Sequence, residues 1–576
     1  MKRFFLWSIS IFIVLIMIVL GVGYAFRIGL GTPTENYRAH PVYSPNGAIA
    51  TSQPLASQAG LKVLQDGGNA VDAAVTAAAV LSVVEPYMTG IGGDMFAIVW
   101  LEKEKQLIGL DGSGYAGSLM TKEAIGDRAR VPDEGAKSVT LPGALSGWAK
   151  LLEAYGTLTL EEALQPAIEL AEYGFPVSRI TAEEWGIFTN KISYDEGAKR
   201  TFLIDETRSP EAGDWFANTD YANTLKRIAK EGPGLFYGGA LGKKIAQHVQ
   251  ELGGFLTEDD FARYSAQWVQ PISVSYKGYR LWELPPNGQG IAALEMLKIL
   301  EGYELETMDQ NSPEYLHHLI EAKKLAYADL EYYVGDPDFM TTTPDQLLSD
   351  AFIAGRRSLI QPDRASSRMD PDTSLTTTET TYLTVADNQG NMVSFINSLA
   401  GSFGSGVVVP GTGFALQNRG VGLSMQDDRA NSVAPNRKPF HTIIPGFVTK
   451  EDSSGVQHPW LSFGIVGGAQ QPQAHVQLLL NLILFDMDLQ EAMDAPRFRH
   501  WEKNQVSFET SIPENVVETL RDMGHAPQNP LMSTAQQIFL GTNRGLVFGG
   551  GQAIMRLERG YVSASDSRRD RGAMGY

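Results

Sequence analysis

Two hydroxyl residues, Thr380 and Ser398, are the first groups in this chain whose type and spacing suggest chemistry. The segments "TYLTVAD" and "NMVSFINS" read as strands, and "NQG" joins them as a three-residue hairpin loop. Pairing Asp387 with Asn391 across that loop puts Thr380 opposite Ser398, hydroxyl facing hydroxyl. In an unbroken chain this is an ordinary pair on a sheet. A cut between Glu379 and Thr380 changes its meaning, because the new α-amino group then lies beside its own side-chain hydroxyl. With an unperturbed pKa of about 7.7 to 8.0, that amine can take the hydroxyl proton near neutral pH, which is the threonine form of a nucleophile with its base. Acyl transfer also needs donors for an oxyanion. "FGIVGG" ends an apolar strand on Gly467 and Gly468, where backbone N–H groups are open to close approach; a structural turn accounts for the same residues.

The elements around these groups alternate strand and helix. "GAIATSQ" reads as a short strand, "PLASQAGLKVLQDGG" as a helix closed by Gly67 and Gly68, and "NAVDAAVTAAAVLSVVEP" as a helix apolar on nearly every face and therefore packed on both sides. "TGIGGDMFAIVW" is a tight glycine turn, too irregular for a dinucleotide fingerprint, followed by an apolar strand. The middle of the chain is mainly helical, and Ser312 caps a long helix containing His317 and His318. Adjacent on a helix, these two histidines point to different sides and cannot share a metal. Between Thr341 and Glu379 the pattern fades into Pro, Asp, Ser, Thr and Arg, the composition of a flexible linker. Strand-like segments then run to about Gly468, including "GSGVVVPGTGFALQNRG" and "WLSFGIVGG". Helices near Ala474–Asp486 and Pro513–Met523 and two closing strands follow. The expectation is an α+β protein of stacked sheet and helix layers.

Composition narrows the function. With 66 acidic against 47 basic residues the net charge is −19, which repels nucleic acid and anionic lipid surfaces. The absence of cysteine excludes disulfides, thiolate nucleophiles and Cys-ligated zinc. Neither a HExxH metal motif nor a phosphate-binding P-loop occurs, and the acyl transfer outlined here needs no cofactor. At the N-terminus, Lys2 and Arg3 precede the uncharged run Phe4 to Phe26, long enough to cross a bilayer as a helix. This predicts an uncleaved membrane anchor within residues 1–30 with the body exported.

Taken in order, "DGGNAVDAAVTAAAVLSVVEPYMTGIGGDMF", "LPGALSGW", "LPPNGQGIAALEMLKILEGY", "EAKKLAYADLEYYVGDPDF", "TTYLTVADNQGNMVSF", "FGSGVVVPGTGFALQN", "APNRKP", "GIVGG", "APRF" and "SASDSRRDRGAMGY" resemble the gamma-glutamyltranspeptidase family, also called glutathione hydrolases. The resemblance covers essentially everything after the apolar run. It implies an N-terminal nucleophile hydrolase with a four-layer αββα sandwich and self-cleavage between Glu379 and Thr380. The products would be a large fragment, 35–379, ending in the linker 341–379, and a small one, 380–576, that stay together as a heterodimer. It further implies an acyl-enzyme on Thr380, Ser398 as hydroxyl partner in place of a family threonine, and Gly467 with Gly468 as oxyanion hole. The substrate would be a small γ-glutamyl or related amide, with water or an amine as acceptor.

Several substrate-holding positions depart from the family. Ser113 and Tyr115 stand where an arginine usually holds the glutamyl carboxylate, and Gly422 where an acid holds its amino group. His441 and Thr442 replace paired serines, and Ala400 an asparagine. Arg419 lies in the same loop as Gly422 and is expected to take over the carboxylate, together with His441 and Thr442; a surface arginine is the alternative. An acylase or poly-γ-glutamate hydrolase of the same fold, and an unprocessed binding protein without activity, are further readings.

Overall fold

The computed structural model describes residues 40–366, 379–528 and 547–576. Two seven-stranded sheets carry the body of the chain. Across the first, the strands run Gly572–Gly575, Ala48–Thr51, Glu379–Ala386, Met392–Ala400, Asp94–Leu101, Gln106–Gly112 and Gln267–Val269. Across the second they run Val42–Ser44, Tyr561–Ser565, Gly551–Arg556, Gln457–Ile465, Gly446–Glu451, Tyr279–Glu283 and Ile272–Tyr276.

The period of two sorts their side chains into layers. Phe96, Ile98, Trp100, Tyr382, Ile396, Phe447 and Ile554 meet between the sheets. Their neighbours Met95, Ala97, Val99, Leu383, Val385, Val393 and Phe395 point outward into a helical layer. There the helix Ala70–Val84 buries all fifteen of its residues, as its uniformly small and apolar composition predicts. Phe463, Ile465 and Val448 point away from the sheet interface into the helices Gly290–Leu300, Pro313–Tyr333 and Gln471–Leu484. The order helix, sheet, sheet, helix is the expected αββα stack.

Each sheet mixes strands from before and after residue 380, so the two halves of the chain share both hydrogen-bonded ladders. The strands are thus not gathered after the linker as the sequence pattern suggests. The short strands at 267–283 go unread among helices because they are half-exposed and only three to five residues long. Among the described residues four strands rather than two follow the helix Glu514–Asp522, and a further short helix, Leu489–Asp494, follows Gln471–Leu484. "GSGVVVPGTGFALQNRG" is no strand: positive φ at Gly406, Gly411 and Gly413 breaks it into turns, leaving one bridge between Val408 and Ala415.

The stretch from Thr341 to Ser366 is not a structureless linker either, since it forms the helices Pro344–Leu347 and Asp350–Arg357. Thr343 and Ser349 cap them, and Pro344 sits where a missing N–H costs nothing. Thr, Ser, Asp and Pro read there as loop residues and act as helix starts. Residues 367–378 lie outside the described residues, as does the apolar run Phe4–Phe26. Among the described residues no helix is long and apolar enough to cross a membrane.

Candidate active site

The hairpin forms in the expected register. Tyr382 pairs with Ile396, Ala386 with Met392, and Asp387 N–H donates to Asn391 O at 3.1 Å. The Asp387 carboxylate fixes the loop by accepting from the backbone N–H groups of Gln389 and Asn391, and it accepts from Ala70 N–H at the head of the buried helix. At Thr380 the register slips: Glu379 pairs with Ala400 but Thr381 with Asn397, a bulge that the sequence pattern did not show. Ala400 takes φ 72° there, a left-handed conformation that an asparagine adopts more readily than alanine. Thr380 is fully buried, and its hydroxyl donates to Ser398 Oγ at 3.2 Å, as the hairpin arithmetic predicts.

Ser398 begins a chain of polar contacts. Its Oγ also accepts from Ala400 N–H at 2.9 Å and from Arg419 Nη2 at 3.3 Å. Arg419 is not a surface residue: it is 1% exposed, and its Nη1 donates to Thr442 Oγ1 at 2.8 Å. Among the described residues its Nε has no acceptor. Burial pushes the guanidinium down to about 10 against the pull of Asp94, so it stays charged at neutral pH. From Thr442 the chain continues through Gln289, whose Nε2 donates to Thr442 O and, at 2.8 Å, to Gly468 O. Thr380, Ser398, Arg419, Thr442 and Gly468 are therefore joined by one unbroken set of hydrogen bonds, with Gln289 as its last link.

Gly467 and Gly468 occupy the turn between the strand Gln457–Ile465 and the helix Gln471–Leu484. Gly467 has φ 118° and Gly468 φ 61°, values that a side chain at either position would oppose. The turn lies at the positive N-terminal end of a fourteen-residue helix, which favours a nearby anion.

His441 faces away from this chain. Its Nε2–H donates to Asp94 Oδ2 at 3.0 Å, and its ring packs on Phe96. Burial and the Arg419 charge hold the imidazole neutral, well below its usual range. Asp94 stands beside Ser398 on the adjacent strand and also accepts from Gly114 N–H, Gly143 N–H and Gln417 Nε2. Burial lifts its carboxyl to about 6, opposed by Arg419 and by those donors. His441 and Asp94 thus form a buried brace behind Ser398.

The substrate-side departures have physical counterparts. The Ser113 hydroxyl accepts from Asn287 Nδ2 at 3.2 Å, so the position expected of an arginine is closed by a neutral pair. A Cβ on Gly422 would lie 2.3 Å from Phe440 O, which leaves no room for an acidic side chain. A cavity of about 300 Å3 opens here, bounded by Gln289, Thr442, Gly422, Phe440, Tyr327 and Ala469. Sequence reasoning missed Gln289, Asn287 and Asp94. Their signals were present: two amides inside the proline and glycine turn "LPPNGQG", and a carboxylate opening a strand otherwise wholly apolar.

One histidine cluster bears on metal binding. His317 and His318 diverge as expected, but His317 Nδ1 meets His525 Nε2 at 2.8 Å, with Glu321 close by. Glu321 already holds the Lys324 ammonium at 2.6 Å and Ser366 N–H at 3.1 Å, and His317 Nε2 faces Gln361 O at 2.7 Å. Apart from His525 Nδ1, which has no partner among the described residues, these groups are committed to one another, and the buried ammonium opposes a second cation.

Two facing sheets between helical layers, with a threonine second in the strand Glu379–Ala386 inside one sheet, match the architecture of N-terminal nucleophile hydrolases. The chain belongs to the gamma-glutamyltranspeptidase family, whose sequence profile, described as Gamma-glutamyltranspeptidase, matches residues 56–576. It is similar to the glutathione hydrolase-like YwrD proenzyme of Bacillus subtilis (strain 168), 34% identical over 503 residues, which span 85% of this chain and 94% of the relative. It is 35% identical over 498 residues to the Acylase ACY 1 proenzyme of Pseudomonas sp. (strain SE83), covering 84% of this chain and 88% of that one. Among solved structures, cephalosporin acylase from Bacillus halodurans superposes with a TM-score of 0.85 at 39% identity, over 95% of this chain and 98% of that chain.

Proposed function

We propose that this protein is a self-processing amide hydrolase and acyltransferase that acts through an acyl-enzyme on Thr380. Scission between Glu379 and Thr380 frees an α-amino group beside the Thr380 hydroxyl. The amine takes the hydroxyl proton as Oγ attacks the amide carbonyl carbon, and the N–H groups of Gly467 and Gly468 receive the oxyanion. Collapse of the tetrahedral adduct breaks the C–N bond, and the proton passes to the leaving amine. Water, or a second amine, then attacks the ester and restores Thr380. The hydrogen-bonded chain from Thr380 to Gly468 carries this reading, because it ties the proposed nucleophile to the proposed oxyanion turn. The fragments 35–379 and 380–576 remain associated after the cut because both sheets contain strands of each. Phe4–Phe26 anchors the protein to the membrane with its body exported.

Two acyl donors fit the family, and the pocket favours one of them. A γ-glutamyl amide presents a carboxylate and an ammonium on one carbon. Gly422 puts no carboxylate at the position where the family holds that ammonium, and Ser113 is tied to Asn287; Val421, Leu423, Phe440 and Tyr327 form the apolar part of the cavity wall, with the carboxylates of Asp133 and Glu331 elsewhere on it. We therefore favour the acylase reading, an amide whose acyl part lacks the α-ammonium, with Arg419 favouring a negative charge through Thr442. The test compares matched amides with and without the α-amino group. A kcat/KM at least about tenfold higher without it is expected, since an unpaired buried ammonium costs more than about 1.4 kcal/mol. Equal values would return the enzyme to the γ-glutamyl class.

Gly422→Asp provides a second check on this pocket. The new side chain collides with Phe440 O, so the variant is expected to lose about 1 to 3 kcal/mol of stability in urea denaturation and to gain no activity on the γ-glutamyl amide. Gained γ-glutamyl activity in a stable variant would show that the pocket can still hold an ammonium.

A further inference from the structure

The oxyanion turn is held by side chains that the reaction itself does not use. Gly468 O accepts from Gln289 Nε2 at 2.8 Å. The next carbonyl, Ala469 O, accepts from the Tyr327 hydroxyl and from Gln473 Nε2 at 3.1 Å, and Gly467 O accepts from Gln470 N–H at 3.1 Å. Two glycines in left-handed conformations have no side chains of their own to hold them, so their orientation has to come from such outside contacts. Among these, only Gln289 reaches both the turn and the segment carrying Thr442. Its side chain is 1% exposed, and its backbone N–H is fixed on His441 O at 3.0 Å. An amide nitrogen carries two hydrogens, and here both are committed, one to each backbone carbonyl.

We infer that Gln289 is a positioning residue for the oxyanion turn. It holds the Gly468–Ala469 peptide against the Thr442 segment, so that the Gly468 Cα, with the donor N–H on its other side, is kept by way of Arg419 and Ser398 at a set distance from the Thr380 hydroxyl. The inference rests on the acyl-enzyme reading above. Oxyanion donors lower a barrier only when they are aimed before charge develops, and a turn free to rock would lose that advantage at the transition state while binding the ground state much as before.

Gln289→Met keeps the length and bulk of the side chain and removes both donors. Turnover is measured per active site, counted from the burst of acylated Thr380, so that a misfolded fraction does not enter. The expected result is a kcat lower by on the order of 10²-fold with KM changed less than about threefold, the split of an interaction made mainly in the transition state. A kcat per active site within about threefold of the parent would overturn the assignment. Should Gln289→Met stay unprocessed, Gln289→Asn takes its place: it keeps the amide but is one methylene too short to reach both carbonyls, and the same loss is expected. Thr380→Ala run alongside separates the two claims. If it is inactive while the Gln289 variants are unchanged, only the positioning role falls; if it is active, the acyl-enzyme reading falls and the positioning role with it.

Discussion

Replacing Thr380 by alanine is expected to leave one uncut chain and to lower amide turnover by on the order of 10⁴-fold or more, the scale of losing a covalent nucleophile. The two losses have one cause. On the proposed mechanism the buried Thr380 hydroxyl, which donates to Ser398 at 3.2 Å, is the group that attacks the peptide bond to be broken. On the same proposal that oxygen then attacks substrate, with the freed amine as base. Thr380→Ser keeps both the hydroxyl and the amine and is expected to process and turn over more slowly than the parent. Denaturing electrophoresis with N-terminal sequencing of the smaller fragment reads the first effect, and a steady-state assay reads the second. An alanine variant that still splits ahead of residue 380, or still hydrolyses amides, would end the acyl-enzyme account.

Arg419→Ala is expected to cost about 1 to 3 kcal/mol of stability, because it removes the charged hydrogen bonds to Thr442 and Ser398 and the nearby positive charge that opposes the rise of the buried Asp94 carboxyl. Replacing both partners, as Asp94→Asn with Arg419→Met, should recover much of that loss, and a double-mutant cycle in urea measures the coupling. Its pH dependence has a definite sign. Asp94 titrates at about 6 in the folded protein, above its unfolded value, so the folded state binds the extra proton. The resulting stability is complete below about pH 4 and is lost as pH rises through about 6, roughly 3 kcal/mol in all. Arg419 holds that carboxyl down, so without it the titration moves higher and the deficit of Arg419→Ala against the parent widens above pH 6. A deficit that stays flat or narrows from pH 5 to pH 8 would contradict the Asp94–Arg419 coupling. The same variant is expected to raise KM for an anionic acyl donor; an unchanged KM would remove Arg419 from substrate recognition.

The covalent separation is expected to have little effect on the fold. Strands on either side of residue 380 lie next to each other in both sheets: Glu379–Ala386 against Ala48–Thr51, and Gly446–Glu451 against Tyr279–Glu283. Chain scission removes one peptide bond and none of these ladders, so the two fragments are held as the uncut chain is held.

Local pattern was enough to determine the hairpin, the facing of Thr380 and Ser398, the doubly packed helix Ala70–Val84 and the glycine turn after Ile465. Each depends on residues within a few positions of one another and on periods of 2 or 3.6. Only the tertiary structure decided how Arg419 is used, that Gln289 ties Thr442 to Gly468, and that Asp94 braces His441, since these partners are separated by 21 to 347 positions along the chain. Pattern also misread the stretch from Thr341 to Ser366, where the same Thr, Ser, Asp and Pro residues suit a loop or a helix cap equally well. The physical reason is common to all these cases: periodicity reports which face of an element is buried, whereas the partner of a buried polar group depends on which distant segment folds against that face.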